Sequence, residues 1–196
     1  IELFKDPDPE VRWSAARALG DIKSVEAVPA LMERIKTETG SIQSGPRVVQ
    51  IKATIAWALG EIGDRQDVPT LRKLLCEQDY ILRGAVTKAL AKLGCREGIN
   101  ELVGGLLNSK WSDEKIRILR TLREIGDHKV EYFIILFLSD PSPSVRDEAV
   151  WTLAAIGDET VIDYLFNIHG LNAVKVLAKR LGVRILLDGS WVKIED

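Results

Sequence analysis

The chain has 196 residues, 46% apolar and 29% charged, and its 27 Lys and Arg against 29 Asp and Glu leave a net charge of −2. There is apolar material for a continuous core, and the charge balance argues against a general nucleic-acid binder, which usually carries a basic domain. Cys76 and Cys95 form no Cys-x-x-Cys pair and have no histidine close by, so neither a disulfide framework nor a metal site is expected. No apolar run reaches the roughly 18 residues of a membrane span. A soluble cytoplasmic protein is the default reading, and the start at Ile1 leaves room for a longer chain.

Ile1–Lys5 reads as the end of a helix. The Asp- and Pro-rich turn Asp6–Pro9 then opens an amphipathic helix, Val11–Ile22. Similar segments follow at Ile51–Ile62, Leu82–Leu93, Glu114–Ile125 and Val145–Ile156. Their starts at 11, 51, 82, 114 and 145 are 40, 31, 32 and 31 residues apart, so an insertion of about nine residues lies in the first interval. Leu19, Leu59, Leu90, Leu122 and Leu153 form one apolar column. Ile22, Ile62, Leu93, Ile125 and Ile156 form a second, three residues on. The next residue is Lys23, then Gly63, Gly94, Gly126 and Gly157, and the glycines predict left-handed helix caps.

A second helix follows each time: Val25–Lys36, Asp67–Cys76, Gly98–Leu107, Val130–Leu138 and Val161–Ile168. Their apolar anchors are Leu31, Leu71, Leu102, Ile134 and Leu165. Neither helix of a pair buries its apolar stripe alone, so stacked pairs must build one core. Ala173–Leu181 is a last half-repeat. Beyond Gly182, Val183–Leu187 and Ser190–Ile194 around Asp188 and Gly189 predict a β-hairpin that caps the final pair.

The recurring pattern Asp-Pro-x-Pro-x-Val-Arg-x-x-Ala-x-x-Ala-Leu-Gly-x-Ile-Gly, best met from Asp6 to Gly20 and from Asp140 to Gly157, resembles the short HEAT-like repeats named after phycobilisome lyases. It spans roughly residues 1–170 and departs from the pattern at Lys23 and at Glu114 and Lys115. The resemblance implies an all-α fold, a right-handed α-α superhelix (a HEAT-like repeat solenoid) of about five to six helix pairs. Residues 1–182 form the solenoid and 183–196 a C-terminal hairpin cap of the same domain. Function follows less directly, because such repeats serve many unrelated proteins.

Three sets of residues stand out. Arg12, Lys52, Arg83, Lys115 and Arg146 form a cationic column near the helix starts. Asp6, Glu77 and Asp140 lie six residues before Arg12, Arg83 and Arg146. In HEAT proteins such pairs stitch adjacent repeats together, so this ladder reads as structural. Five residues later come Arg17, Trp57, Lys88, Arg120 and Trp151, opposite the leucine face and so expected to line the concave groove, with Trp13 placed to stack on Arg17. Tryptophans interleaved with cations have the composition of a binding hot spot. Third, the run Tyr132–Leu138 puts Phe133 and Leu136 where earlier repeats carry Glu33, Lys73 and Gly104 at the Leu136 position. That implies an apolar patch covered by the hairpin or by a second copy of the chain.

The insertion Lys36–Arg47 is a further candidate contact, since long loops often carry function. Its Gly40 and Gly45 have the spacing of a phosphate-binding loop, but Pro46 and Arg47 follow in place of Lys and Ser or Thr. Nucleophile elbows and paired histidines are absent, and His128 and His169 stand alone. The first reading is therefore a protein-binding scaffold gripping a protein or peptide in its groove, not an enzyme and without a cofactor. The alternative, from the resemblance, is a subunit of a bilin lyase, its cations facing propionates and its tryptophans stacked on the pyrroles. A nucleic-acid-binding HEAT protein is the third, disfavoured by the acidic balance.

Overall fold

The computed structural model describes residues 1–38, 45–76, 79–169, 171–185 and 191–193. They divide into two compact units, Ile1–Glu101 and Leu102–Asp196. The first helices of the repeats are α1 (Pro9–Asp21), α3 (Gly45–Ile62), α5 (Tyr80–Lys92), α7 (Ser112–Ile125) and α9 (Pro143–Ile156). The second helices are α2 (Val28–Thr37), α4 (Val68–Leu74), α6 (Arg96–Asn108), α8 (Glu131–Ile135) and α10 (Val161–His169), and α11 (Leu171–Leu181) follows. In the first unit α1 packs on α3 and α3 on α5; in the second α7 packs on α9 and α9 on α11.

Local signals explain the boundaries. Asp8 caps α1 by accepting from the Glu10 N–H at 2.9 Å, with Pro9 at the first helical position. Asp79 caps α5 by accepting from the N–H groups of Ile81 and Leu82. Gly63, Gly94 and Gly126 end their helices with φ near +80°, and Lys23 adopts the same left-handed conformation at φ 52° without being glycine. Gly157 departs from the expected cap. Its backbone is extended, at φ −64° and ψ 159°. What demands glycine there is space, since a Cβ would lie 2.7 Å from the Leu153 carbonyl oxygen.

All five second-helix anchors are buried, as are Leu59, Leu90, Leu122 and Leu153. Ile22 is not: it is 70% exposed. α1 packs on α3 along one side and on the short turn Glu2–Lys5 on the other, which leaves the end of its second apolar column open. The extra residues of the first interval are partly helical. α3 has 18 residues against 13 in α1, so Gly45–Arg47, expected as loop, belong to a helix. Gly40 lies outside the described residues.

The Ala-Leu-Gly signature sets how closely helices approach. A Cβ on Gly20 would lie 2.5 Å from Trp57 Cζ3 and 2.9 Å from Ala58 Cα, and one on Gly60 2.8 Å from Ala89 Cα. In the second unit the equivalent residue is Arg123, and it joins α7 to α9 by charge, 2.7 Å from Glu148 Oε1. At the C-terminus, β1 (Val183–Ile185) pairs antiparallel with β2 (Trp191–Lys193), with Arg184 opposite Val192, and β1 lies against α11. The expected strands are longer, but residues 186–190 and 194 lie outside the described set.

Candidate functional site

Two of the ladder cations, Arg12 and Arg146, take the backbone carbonyls of the turns where their carboxylates were expected. Arg12 Nη1 donates to the backbone carbonyls of Asp6 and Pro7, both at 2.9 Å. Arg146 Nη1 does the same to Asp140 at 2.8 Å and Pro141 at 3.2 Å. The carboxylates of Asp6 and Asp140 instead accept from the N–H groups of Asp8 and Ser142, at 2.8 and 2.9 Å, and shape the turns. Lys115 does bridge repeats: its Nζ lies 2.6 Å from Asp140 Oδ2 and above the Phe137 ring. Burial alone would raise the Asp140 pKa, but the hydrogen bonds from Lys115 and the Ser142 N–H outweigh it and hold the carboxyl below its usual range. Lys52 and Arg83 occupy the same helical position half-buried, and Glu77 lies outside the described residues.

Arg12 also donates to Glu38, from Nη2 at 2.8 Å and from Nε at 3.3 Å. This carboxylate is fully buried at the end of α2 and also takes Arg34. Burial pushes its pKa up, but the hydrogen bonds from Arg12 and then Arg34 win, so it is held below the ordinary glutamate value.

The tryptophan–cation column divides by environment. In the first unit, the Arg17 guanidinium sits 4.5 Å from the centroid of the Trp57 ring and also pairs with Asp21 at 3.3 Å. Its stacking partner is thus Trp57 and not the expected Trp13. Both tryptophans are half-buried against the unit's core, and Lys88 is exposed. In the second unit Trp151 is 55% exposed on α9. One turn before it, Glu148 takes Arg120 Nε at 2.8 Å, so the cation and the indole share one stretch of surface. Glu148 Oε1 is charge-paired to Arg123 but lies out of line for a hydrogen bond. The difference between the tryptophans has a cause: Trp57 settles over Gly20, whereas the residue equivalent to Gly20 in the helix before Trp151 is Arg123, which offers no such recess.

Phe133 and Leu136 are 41% and 62% exposed, and Tyr132 beside them is exposed as well. Among the described residues, the two strands of the hairpin do not bury this patch. Among the described residues no His, Cys, Asp and Glu cluster could hold a metal, and no helix is long and apolar enough to cross a membrane.

The sequence matches the HEAT-repeat family over residues 1–45, 47–115 and 99–170. The chain belongs to the HEAT-repeat family. It is 29% identical over 229 aligned residues to the bilin biosynthesis protein PecE of Mastigocladus laminosus, covering 100% of this chain and 84% of that protein. Among solved structures it resembles a chain of the complex of CpcE and CpcF of phycocyanin lyase from Nostoc sp. PCC7120. There the TM-score is 0.52 at 23% identity, over 90% of this chain and 72% of that one. The HEAT fold and the phycobilisome-lyase type of repeat are therefore both borne out. HEAT repeats are consistent with protein binding, but the expectation that the chain is no enzyme is corrected by these relatives, which belong to bilin biosynthesis and to a lyase.

Sequence reasoning missed three residues of this HEAT chain. Glu148 is a buried acid in a column that otherwise reads Ser14, Thr54, Ala85 and Arg117; an acid facing arginines at 120 and 123 was the available signal. Glu38 carried no signal beyond its place at the end of α2. Trp111, exposed at the start of α7, stands outside every repeat column.

Proposed function

We propose that this chain is a bilin lyase subunit that holds a linear tetrapyrrole against its tryptophan and arginine surface and acts together with a protein partner. The match along the whole chain to a bilin biosynthesis protein carries the reading. The site chemistry agrees with it. A bilin is an open chain of conjugated pyrrole rings with two propionates. Trp151 presents an open indole face, with Arg120 one turn away on the neighbouring helix through Glu148. Arg17 above Trp57 is a second cation-and-indole pair, in the first unit. An aromatic face with a cation gains about 0.5–2 kcal/mol from π contact, and a charge-assisted hydrogen bond to a carboxylate adds to it. A protein partner agrees with the relative solved as a complex of two chains and with the open apolar patch of Tyr132, Phe133 and Leu136.

Titrating the protein with a bilin such as biliverdin tests this directly. The expected result is a saturable shift of the long-wavelength absorbance with induced circular dichroism. A bilin spectrum unchanged at saturating protein rejects the reading and leaves protein binding alone.

A further inference from the structure

The second helices of the first unit carry charge that the repeat does not require. Six residues before each buried anchor, the five repeats read Val25, Arg65, Arg96, His128 and Glu159. The arginines thus occupy the same position in two successive repeats. One residue after the anchor the column reads Met32, Arg72, Val103, Ile135 and Phe166, so Arg72 replaces an apolar residue. These three arginines meet around one open cleft of about 490 Å³ between α4 and the start of α6, lined also by Val68, Pro69, Gly94, Cys95 and Glu97.

The cleft holds one carboxylate of its own. Arg72 Nη2 on α4 lies 2.7 Å from Glu97 Oε1 on α6, each side chain about half exposed. The backbone N–H of Glu97 itself, and then Arg72, hold that carboxyl below its usual range. Arg65 and Arg96 are exposed, and neither has a charge partner among the described residues. Three cations against one anion leave the cleft with two positive charges to neutralise. Val68, Pro69 and the buried Cys95 add apolar surface to the same lining.

We infer that this cleft docks an acidic segment of a protein partner, two carboxylates pairing with Arg65 and Arg96 while an apolar side chain between them lies on Val68 and Pro69. A single small anion suits the site less well. The unpaired arginines come from different repeats, both are well solvated, and an isolated exposed pair contributes little. A segment that engages both and covers apolar surface adds contact area to charge. Long-range attraction to such a segment also speeds its association. The inference stands apart from bilin binding, because none of these residues belongs to the tryptophan–cation column.

Fluorescence anisotropy of a labelled peptide alternating glutamate and leucine, titrated with the whole chain, tests it. Binding is expected to weaken steeply with added salt. Arg65→Gln and Arg96→Gln should each weaken it about fivefold, the scale of a good exposed pair, and together by about the product of the two. Glu97→Gln, which frees Arg72, should tighten it about as much. Lys73→Gln, on α4 but outside the cleft, should leave it unchanged. Unaltered binding in the Arg65 and Arg96 variants overturns the inference. So does displacement of the peptide by succinate, inorganic phosphate or a single-stranded oligonucleotide at concentrations matched in charge. Identical thermal melts keep a folding defect from imitating either outcome.

Discussion

Arg17 on α1 lies over the indole of Trp57 on α3, 4.5 Å from its centroid, and the edge of the same ring fills the space above Gly20. One side chain thus forms a helix–helix joint with its edge and offers a cation-capped surface with its face. Trp151, at the same position three repeats later, is free of the first duty.

The two tryptophans should therefore separate on mutation. Trp57→Ala empties a packed position and is expected to lower stability by about 2 kcal/mol or more. Trp151→Ala should leave the melting temperature nearly unchanged while weakening bilin binding by about 2 kcal/mol, roughly thirtyfold. Thermal melts and bilin titrations on both variants check this. Equal stability losses would mean that Trp151 is packing after all.

Two helical glycines should respond with opposite signs. Gly84 in α5 has open space where a Cβ would go, so Gly84→Ala should stabilise the chain by up to about 1 kcal/mol through helix propensity. Gly20→Ala makes the same gain but drives a methyl group into Trp57 and the α3 backbone, an overpacking cost of about 1–3 kcal/mol. Net destabilisation is expected for Gly20, read from denaturant midpoints.

Lys23 offers a gain in the other direction. A lysine at φ 52° sits where other repeats place glycine, and a side chain there costs about 1 kcal/mol. Lys23→Gly should raise stability by about that amount, and Gly126→Ala should lower it comparably. Chemical denaturation of the two variants provides the comparison.

Acid should weaken the fold through Glu38 and Asp140. Both carboxyls have folded pKa values below their ordinary 4.5 and 3.8. In that window the unfolded chain binds more protons, so stability rises with pH. The contribution is complete above the unfolded values and is lost as pH falls through the folded ones. Melting temperatures taken from neutral pH down to about pH 3 should drop most steeply below about pH 4.5. Glu38→Gln should cost about 3 kcal/mol at neutral pH, because it strands the buried Arg12, and should flatten the acid slope. An unchanged acid slope in that variant would count against the assignment.

Much of the fold was readable because helical periodicity is a strong, repeated signal. The anchors Leu31, Leu71, Leu102, Ile134 and Leu165 are all buried where the 3.6-residue pattern puts them. Contact partners were less readable. The six-residue offset from Asp6 to Arg12 correctly brings turn and guanidinium together, but spacing does not say which oxygen is taken, and the backbone carbonyls win. Ile22 belongs to an apolar column by sequence and to the surface by position, since burial depends on what lies alongside α1. Trp57 and Trp151 share a column, but Trp57 packs over Gly20 of the preceding helix, where the helix before Trp151 carries Arg123 paired to Glu148.

The joints at Gly20 and Arg123 bear on how such a chain can evolve. A string of repeats invites growth by copying one unit and splicing it in elsewhere. Here two first helices are fitted to their neighbours in different ways: α1 receives an indole over bare backbone, and α7 offers a guanidinium to a buried acid on α9. A copy of α9 set beside α1 would bring Glu148 to a helix with glycine where its arginine should stand. These repeats share a pattern but not a joint, so their order is as much a part of the protein as their sequence.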